Sequence, residues 1–152
     1  MLCEIGVRMV LVGHSERRQV FAETDDLISQ KVTEALERGL VPILCVGETL
    51  DENEKGKTND VLRRQLKSFR DGIIIAYEPV WAIGTGKTAT TAQIVATHKF
   101  IKSVVGEDVT VLYGGSVNEN NAGEILSTKG VDGVLVGGAS LCPDKFAAIV
   151  NS

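Results

Sequence analysis

Two side chains that can hold or move a proton, His14 and Glu78, each follow a short apolar run. Glu78 comes directly after residues 73–77, whose β-branched side chains and lack of alternation are typical of a strand buried on both faces. Pro79 has no backbone N–H and ends such a strand, so we expect Glu78 at its carboxyl end. Because α/β folds place their chemistry at that edge, Glu78 is a candidate general base. The alternative to a catalytic role is that Glu78 is a solvated carboxylate in a turn.

The segment 79–89, directly after Glu78, has the composition of a hinged lid. An apolar tip precedes two flexible glycines, and threonines suited to a helix start follow. The Gly-Lys-Thr at 86–88 also resembles a phosphate-binding P-loop, but Trp81 occupies the position where that pattern requires another glycine, so this interpretation fails. The predicted lid consists of Pro79, Val80, Trp81, Ala82, Ile83, Gly84, Thr85, Gly86, Lys87, Thr88 and Ala89.

His14 lies in the segment GHSERR at 13–18, directly after the apolar run 9–12. We therefore expect it at the same sheet edge as Glu78. Ser15 and Glu16 suit the first turn of a short helix that begins just after the histidine. From these residues alone, a structural histidine and a first-turn carboxylate at Glu16 remain open alternatives. Glu48 is expected to form an ion pair or to fix a loop rather than to act in catalysis.

Three loops containing glycine, at 84–86, 113–116 and 136–140, could bring backbone N–H groups close to an anion. Two of them directly follow apolar runs, which is where barrel folds hold phosphate groups. Glycine pairs also occur simply to relieve crowding in turns. The pairs alone therefore leave both interpretations open.

The elements that position these residues are five apolar runs separated by amphipathic segments. The runs lie at 9–12, 41–46, 73–77, 109–113 and 131–136. This alternation predicts repeated βα units with a parallel sheet. The first helix is predicted to open at Asp25 and to end before Gly39. The last is predicted to bury Phe146, Ile149 and Val150.

Composition indicates an ordinary globular chain. Its 152 residues are 43% hydrophobic and 24% charged, with a net charge of −4, and they offer no basic surface for nucleic acid. Cys3, Cys45 and Cys142 are odd in number and lack metal-ligand spacing, which predicts reduced thiols in the cytoplasm and no metal site. Neither a leader segment nor a membrane-spanning run is expected.

The run YEPVWAIGTGKTAT at 77–90, together with GHSERR, closely resembles the triosephosphate isomerase family. The resemblance covers all 152 residues, but it matches only the last five βα units of an eight-unit barrel that typically needs about 250 residues. It implies a truncated (β/α)8 TIM-type α/β barrel, in which residues 1–152 form a single incomplete domain. The five parallel βα units then form an open sheet, and the chain begins in the tail of a preceding helix.

The resemblance also implies the roles of the site residues. Glu78 is expected to transfer a proton between two substrate carbons, His14 to polarise the substrate carbonyl as a neutral group, and Glu16 to act as a site or positioning acid. The phosphate is expected on Gly84, Ser116, Gly137 and Gly138. The family is itself a standard example of such acid–base tuning and lid closure. The implied reaction interconverts dihydroxyacetone phosphate and glyceraldehyde 3-phosphate without a cofactor.

One departure from the family bears on activity. The family carries an Asn and a Lys in an N-W-K run at its first strand, and this chain has no such run. If that cation contributes like one preorganised oxyanion donor, its loss raises the barrier by about 3–4 kcal/mol. Isomerase activity is therefore expected to be strongly impaired or absent.

Five strands cut from a closed barrel leave two sheet edges and an apolar inner face uncovered. We therefore expect a homo-oligomer, most simply a dimer, formed through those edges or that face. Two alternatives to a working isomerase remain open. One is a noncatalytic, self-associating barrel fragment, and the other is one half of a split enzyme completed by a separate chain. The expected ligand is a triose phosphate, or a phosphate or sulfate anion. Neither nucleic acid nor a membrane is expected as a partner.

Overall fold

A computed structural model describes residues 1–85 and 87–152 and arranges five parallel strands in one open sheet in chain order. The strands are β1 (Met9–Val12), β2 (Val41–Val46), β3 (Ile74–Tyr77), β4 (Val111–Tyr113) and β5 (Gly133–Val134). The predicted partial TIM-type fold is confirmed. Within the described residues, β1 and β5 each pair with one strand and form the two edges.

Helices connect the strands and pack against the sheet. They are α1 (Ser15–Gln19), α2 (Asp25–Glu37), α3 (Leu50–Glu54), α4 (Thr58–Gln65), α5 (Thr91–Val105), α6 (Ala122–Leu126) and α7 (Pro143–Val150). Thr24 caps α2 by accepting from the N–H of Leu27, and Thr90 and Gln93 cap α5 reciprocally. No helix in the described part of the chain combines the length and apolarity needed to cross a membrane.

Strand register places the carboxyl ends of the inner strands side by side. Val46 pairs with Tyr77, and Tyr77 pairs with Tyr113. The residues that follow, Gly47, Glu78 and Gly114, are therefore neighbours at one sheet edge. This alignment brings the loops after β2, β3 and β4 to a common site.

The fifth strand is shorter than predicted. The apolar run suggested 131–136, whereas only Gly133 and Val134 pair with β4. As an edge strand, β5 has only the three-residue β4 as its partner. The N–H groups of Asp132 and Leu135 still donate to β4 carbonyls, which extends the contact beyond the regular ladder.

The core lies between the sheet and the helices on one of its faces. Ile28 and Val32 of α2 and Ile94 and Ile101 of α5 are almost fully buried. The predicted stripe of α7 is wrong in part, because only Ile149 of its three apolar residues is buried. The helix packs against the 3-10 turn Gly138–Leu141 that precedes it, and its other apolar side chains remain uncovered. Those exposed side chains are Phe146 and Val150.

The start of the chain forms a single 3-10 turn, Cys3–Ile5. Gly6 ends this turn at φ 83°, a left-handed conformation that favours glycine.

Candidate active site

Glu78 is the first residue beyond β3, and its N–H still donates to the carbonyl of Val46 at 2.7 Å. The glycines that directly follow the two neighbouring strands, Gly47 and Gly114, make room for it. A Cβ at Gly47 would lie 1.8 Å from the carbonyl oxygen of Glu78, and one at Gly114 would lie 2.9 Å from its Cγ. Glu78 is only 3% exposed. The sheet thus holds a buried carboxylate at its carboxyl edge, where the sequence predicted it.

His14 lies beside this carboxylate, with Nε2 3.3 Å from Oε1 of Glu78. Its Nδ1 accepts from the N–H of Glu16 at 3.3 Å, which leaves the proton of a neutral imidazole on Nε2. The other carboxylate oxygen accepts from the N–H of Ser15 at 3.2 Å. The start of α1 therefore fixes both the tautomer of His14 and the orientation of Glu78.

Burial raises the pKa of the Glu78 carboxyl, and this effect outweighs the opposite influence of His14 and of the Ser15 N–H. A carboxylate with a raised pKa is a better proton acceptor near neutral pH. Burial also raises the pKa of the neighbouring Cys45 thiol, and the Glu78 carboxylate raises it further. Cys45 is thus a neutral, fully buried group beside Glu78.

A cavity of about 610 Å³ opens at this edge of the sheet. His14 and Glu78 lie on its wall, and the three glycine-bearing loops contribute Gly84, Ser116, Gly137 and Gly138. The structure therefore brings together the predicted proton-transfer pair and the predicted phosphate contacts. Glu16 is exposed and does not line the cavity. Gly86 of the predicted lid lies outside the described residues.

The glycine-bearing loops offer free backbone donors. Within residues 1–85 and 87–152, no acceptor takes a hydrogen bond from the N–H of Gly84, Ser116, Gly137 or Gly138. A Cβ at either Gly137 or Gly138 would meet no atom within 4 Å, so the backbone there borders open space. Such N–H groups can donate to a phosphate.

The lid segment is fastened at both ends. At its start, the Trp81 indole N–H donates to Glu48 at 2.9 Å, and the Ser116 hydroxyl donates to the Ala82 carbonyl at 2.6 Å. At its end, the N–H of Ala89 donates to the hydroxyl of Tyr113 at 3.3 Å. The predicted loop-fixing role of Glu48 agrees with these contacts, whereas Tyr113 carried no sequence signal beyond its place in a strand.

Two charged residues on the cavity wall were not singled out in the sequence. Glu119, in the loop after β4, and Lys145, in the first turn of α7, form an ion pair at 3.2 Å. Their position after the second and third glycine loops is the only signal that could have drawn attention to them.

Comparisons with known proteins agree with this arrangement. A sequence model described as triosephosphate isomerase matches residues 1–152. The triosephosphate isomerase of Erwinia tasmaniensis is 49% identical over 167 residues, and those of Klebsiella pneumoniae and Enterobacter cloacae are each 48% identical over the same length. Each match covers 100% of this chain but 66% of the relative. The chain therefore spans just under two thirds of the length of these relatives.

Proposed function

The chain belongs to the triosephosphate isomerase family, and from this premise we propose that its cavity binds a triose phosphate and that Glu78 transfers a proton between adjacent substrate carbons. The reaction is the interconversion of dihydroxyacetone phosphate and glyceraldehyde 3-phosphate. The observation that carries the proposal is the buried Glu78 carboxylate, whose pKa is raised and which lies 3.3 Å from Nε2 of His14.

The geometry supports separate chemical roles for Glu78 and His14. The Glu78 carboxylate takes a proton from the carbon that bears the substrate hydroxyl, while the Nε2–H of His14 donates to the adjacent carbonyl oxygen. The enediol that forms has lost one C–H bond and gained one O–H bond. His14 then recovers its Nε2 proton from the hydroxyl group of the first carbon, which becomes the new carbonyl, while Glu78 returns its proton to the neighbouring carbon. All atoms balance, both side chains regain their starting protonation states, and no co-reactant is needed.

The loops on the other wall of the cavity would bind the phosphate. Backbone N–H groups at Gly84, Ser116, Gly137 and Gly138 are the proposed donors, and the lid would cover the bound substrate. Exclusion of water would strengthen each of these hydrogen bonds and protect the enediol.

We further propose that this stretch of chain is a slow isomerase. Lys145 is the only lysine or arginine among the described residues that line the cavity, and it is paired with Glu119. No cation therefore lies at the carbonyl end beside His14 in the described part of the site. The lack of one preorganised donor raises a barrier by about 3–4 kcal/mol, a loss of roughly 100- to 1,000-fold in rate.

A coupled isomerase assay at high protein concentration tests the proposal. Glu78→Gln keeps the size of the side chain but removes the base, and we expect it to abolish the measured rate. Glu34→Gln, which changes an exposed carboxylate 59% open to solvent, is the matched control and should retain the rate. Equal rates for the wild type and Glu78→Gln would contradict a catalytic role for Glu78.

A second candidate function, a noncatalytic self-associating fragment, is favoured by the exposed edge of the sheet. Met9 and Leu11 lie two positions apart on the same face of β1, and they are 54% and 47% exposed. Burial of such side chains against a second copy would stabilise a dimer.

Light scattering with size exclusion distinguishes this state from a monomer. We expect a dimer mass at micromolar concentration and a shift towards the monomer in Met9→Lys. A monomer mass throughout would contradict self-association, whereas a dimer without isomerase activity would favour the noncatalytic function.

A further inference from the structure

Lys145 occupies a distinctive place on the cavity wall. It is the only lysine or arginine among the described lining residues, and its Nζ lies 3.2 Å from Oε1 of Glu119. The pair joins two of the elements that border the predicted phosphate contacts, namely the loop after β4 and the first turn of α7. The lysine side chain is 53% exposed and the glutamate side chain 28% exposed. The ammonium group is therefore held at the rim of the cavity within reach of solvent.

The charge balance of the cavity makes this position important for an anion. The other ionised side chains on the described wall are the carboxylates of Glu78 and Glu119. A hydrogen bond from its own backbone N–H and the contact with Lys145 hold the pKa of Glu119 below its usual range. Without Lys145, a phosphate dianion would enter between two negative charges.

We propose that Lys145 is the cationic phosphate contact of this site, and that a bound phosphate dianion shares or takes its ammonium group from Glu119. The proposal rests on the proposed function, because it assigns a further ligand to the same phosphate position. An exposed ion pair contributes little stability, so a dianion can compete for the amine at small cost. The ammonium group carries three donors and can also contact both partners at once.

The main alternative to direct contact between Lys145 and the phosphate is a role limited to neutralising the charge of Glu119. In that case the lysine would only neutralise Glu119, and removal of Glu119 would make Lys145 dispensable. Direct contact predicts the opposite result. Lys145 would still strengthen phosphate binding when Glu119 is replaced by Gln.

Titration of the chain with inorganic phosphate by calorimetry or NMR at low ionic strength measures this contact. We expect Lys145→Met to weaken phosphate binding about tenfold and Lys145→Arg to retain most of the affinity. Glu119→Gln should strengthen binding, and Glu119→Gln with Lys145→Met should bind about tenfold more weakly than Glu119→Gln alone.

The matched control is Lys55→Met. Lys55 is 58% exposed, pairs with Asp51 at 2.7 Å and does not line the cavity, so its loss should leave phosphate affinity unchanged. Gly138→Glu places a carboxylate in the open space beside the predicted backbone donors and should abolish binding.

The other possible results would overturn the role of Lys145, its direct contact with phosphate, or the phosphate site itself. If Lys145→Met binds like the wild type while Gly138→Glu does not bind, the glycine cradle stands and the role of Lys145 is overturned. If the double variant binds like Glu119→Gln alone, direct contact is overturned. If the wild type binds no phosphate, the proposed phosphate site and the role of Lys145 both fail.

Discussion

The indole N–H of Trp81 donates to the Glu48 carboxylate at 2.9 Å and ties the lid to the loop after β2. The hydroxyl of Tyr77 and the side-chain amide of Asn53 donate to the same carboxylate, at 3.2 Å and 2.9 Å. Glu48 is fully buried. One buried carboxylate therefore holds the lid, β3 and α3 in a fixed arrangement beside Glu78.

Replacement of Glu48 by Gln should destabilise the fold. The amide group of Gln brings donors to a site that already contains three donors, so at least one buried hydrogen bond is lost and one polar group is left unpaired. We expect the free energy of unfolding to fall by about 2–3 kcal/mol in urea titrations. Glu34→Gln removes the charge of the exposed Glu34–Arg38 ion pair and should change the free energy of unfolding by less than about 1 kcal/mol. Equal midpoints for both variants would contradict the structural role of Glu48.

The raised pKa of Glu78 predicts a pH-dependent stability difference. Between the ordinary glutamate pKa of about 4.3 and the raised pKa of the folded state, the folded protein holds a proton on Glu78 that the unfolded chain has released. The contribution of Glu78 to the free energy of unfolding therefore falls as pH rises through the folded pKa. Glu78→Gln removes this loss, because its side chain stays neutral.

We therefore expect Glu78→Gln to be more stable than the wild type at pH 8, with a difference that shrinks towards pH 4. Urea titrations of both proteins across this range provide the measurement. A difference that is constant with pH would show that burial does not raise the pKa of Glu78.

The far end of the lid depends on a single hydroxyl group. Tyr113→Phe leaves the buried N–H of Ala89 without its acceptor, while the aromatic ring stays in place. We expect hydrogen exchange at the Ala89 amide to accelerate about tenfold, because the lost bond no longer holds the end of the lid segment in place. The amide of Ile94 in α5 bonds to the carbonyl of Thr90 and is the internal reference. Unchanged exchange at Ala89 would mean that Tyr113 does not hold the lid.

The location of Glu78 was predictable from its immediate neighbours. A β-branched run that ends in a proline indicates a buried strand, and parallel strands bring their carboxyl ends to one edge. The prediction that a helix starts at Asp25 was equally local, because the capping residue Thr24 lies within a few positions of the N–H group that it caps. Local patterns therefore predicted the fold and the positions of His14 and Glu78 at one sheet edge.

The contacts that complete the site were not predictable in the same way. The bonds from Tyr77 and Trp81 to Glu48 join residues 29 and 33 positions apart, and no periodic pattern marks them. The pair of Glu119 and Lys145 likewise depends on how α7 packs beside the loop after β4. The length of β5 also depended on its partner strand, since its apolar sequence alone suggested a longer strand.

Exchange of substrate hydrogen with solvent tests proton abstraction by Glu78 most directly. Dihydroxyacetone phosphate is incubated with the protein in D₂O, and proton NMR follows the loss of carbon-bound hydrogen. Even slow turnover is visible, because a proton taken up by the Glu78 carboxylate can exchange with deuterium before it returns to carbon. We predict deuterium incorporation with the wild type and none above background with Glu78→Gln. Incorporation at the same rate with both proteins would contradict the assignment of Glu78 as the base.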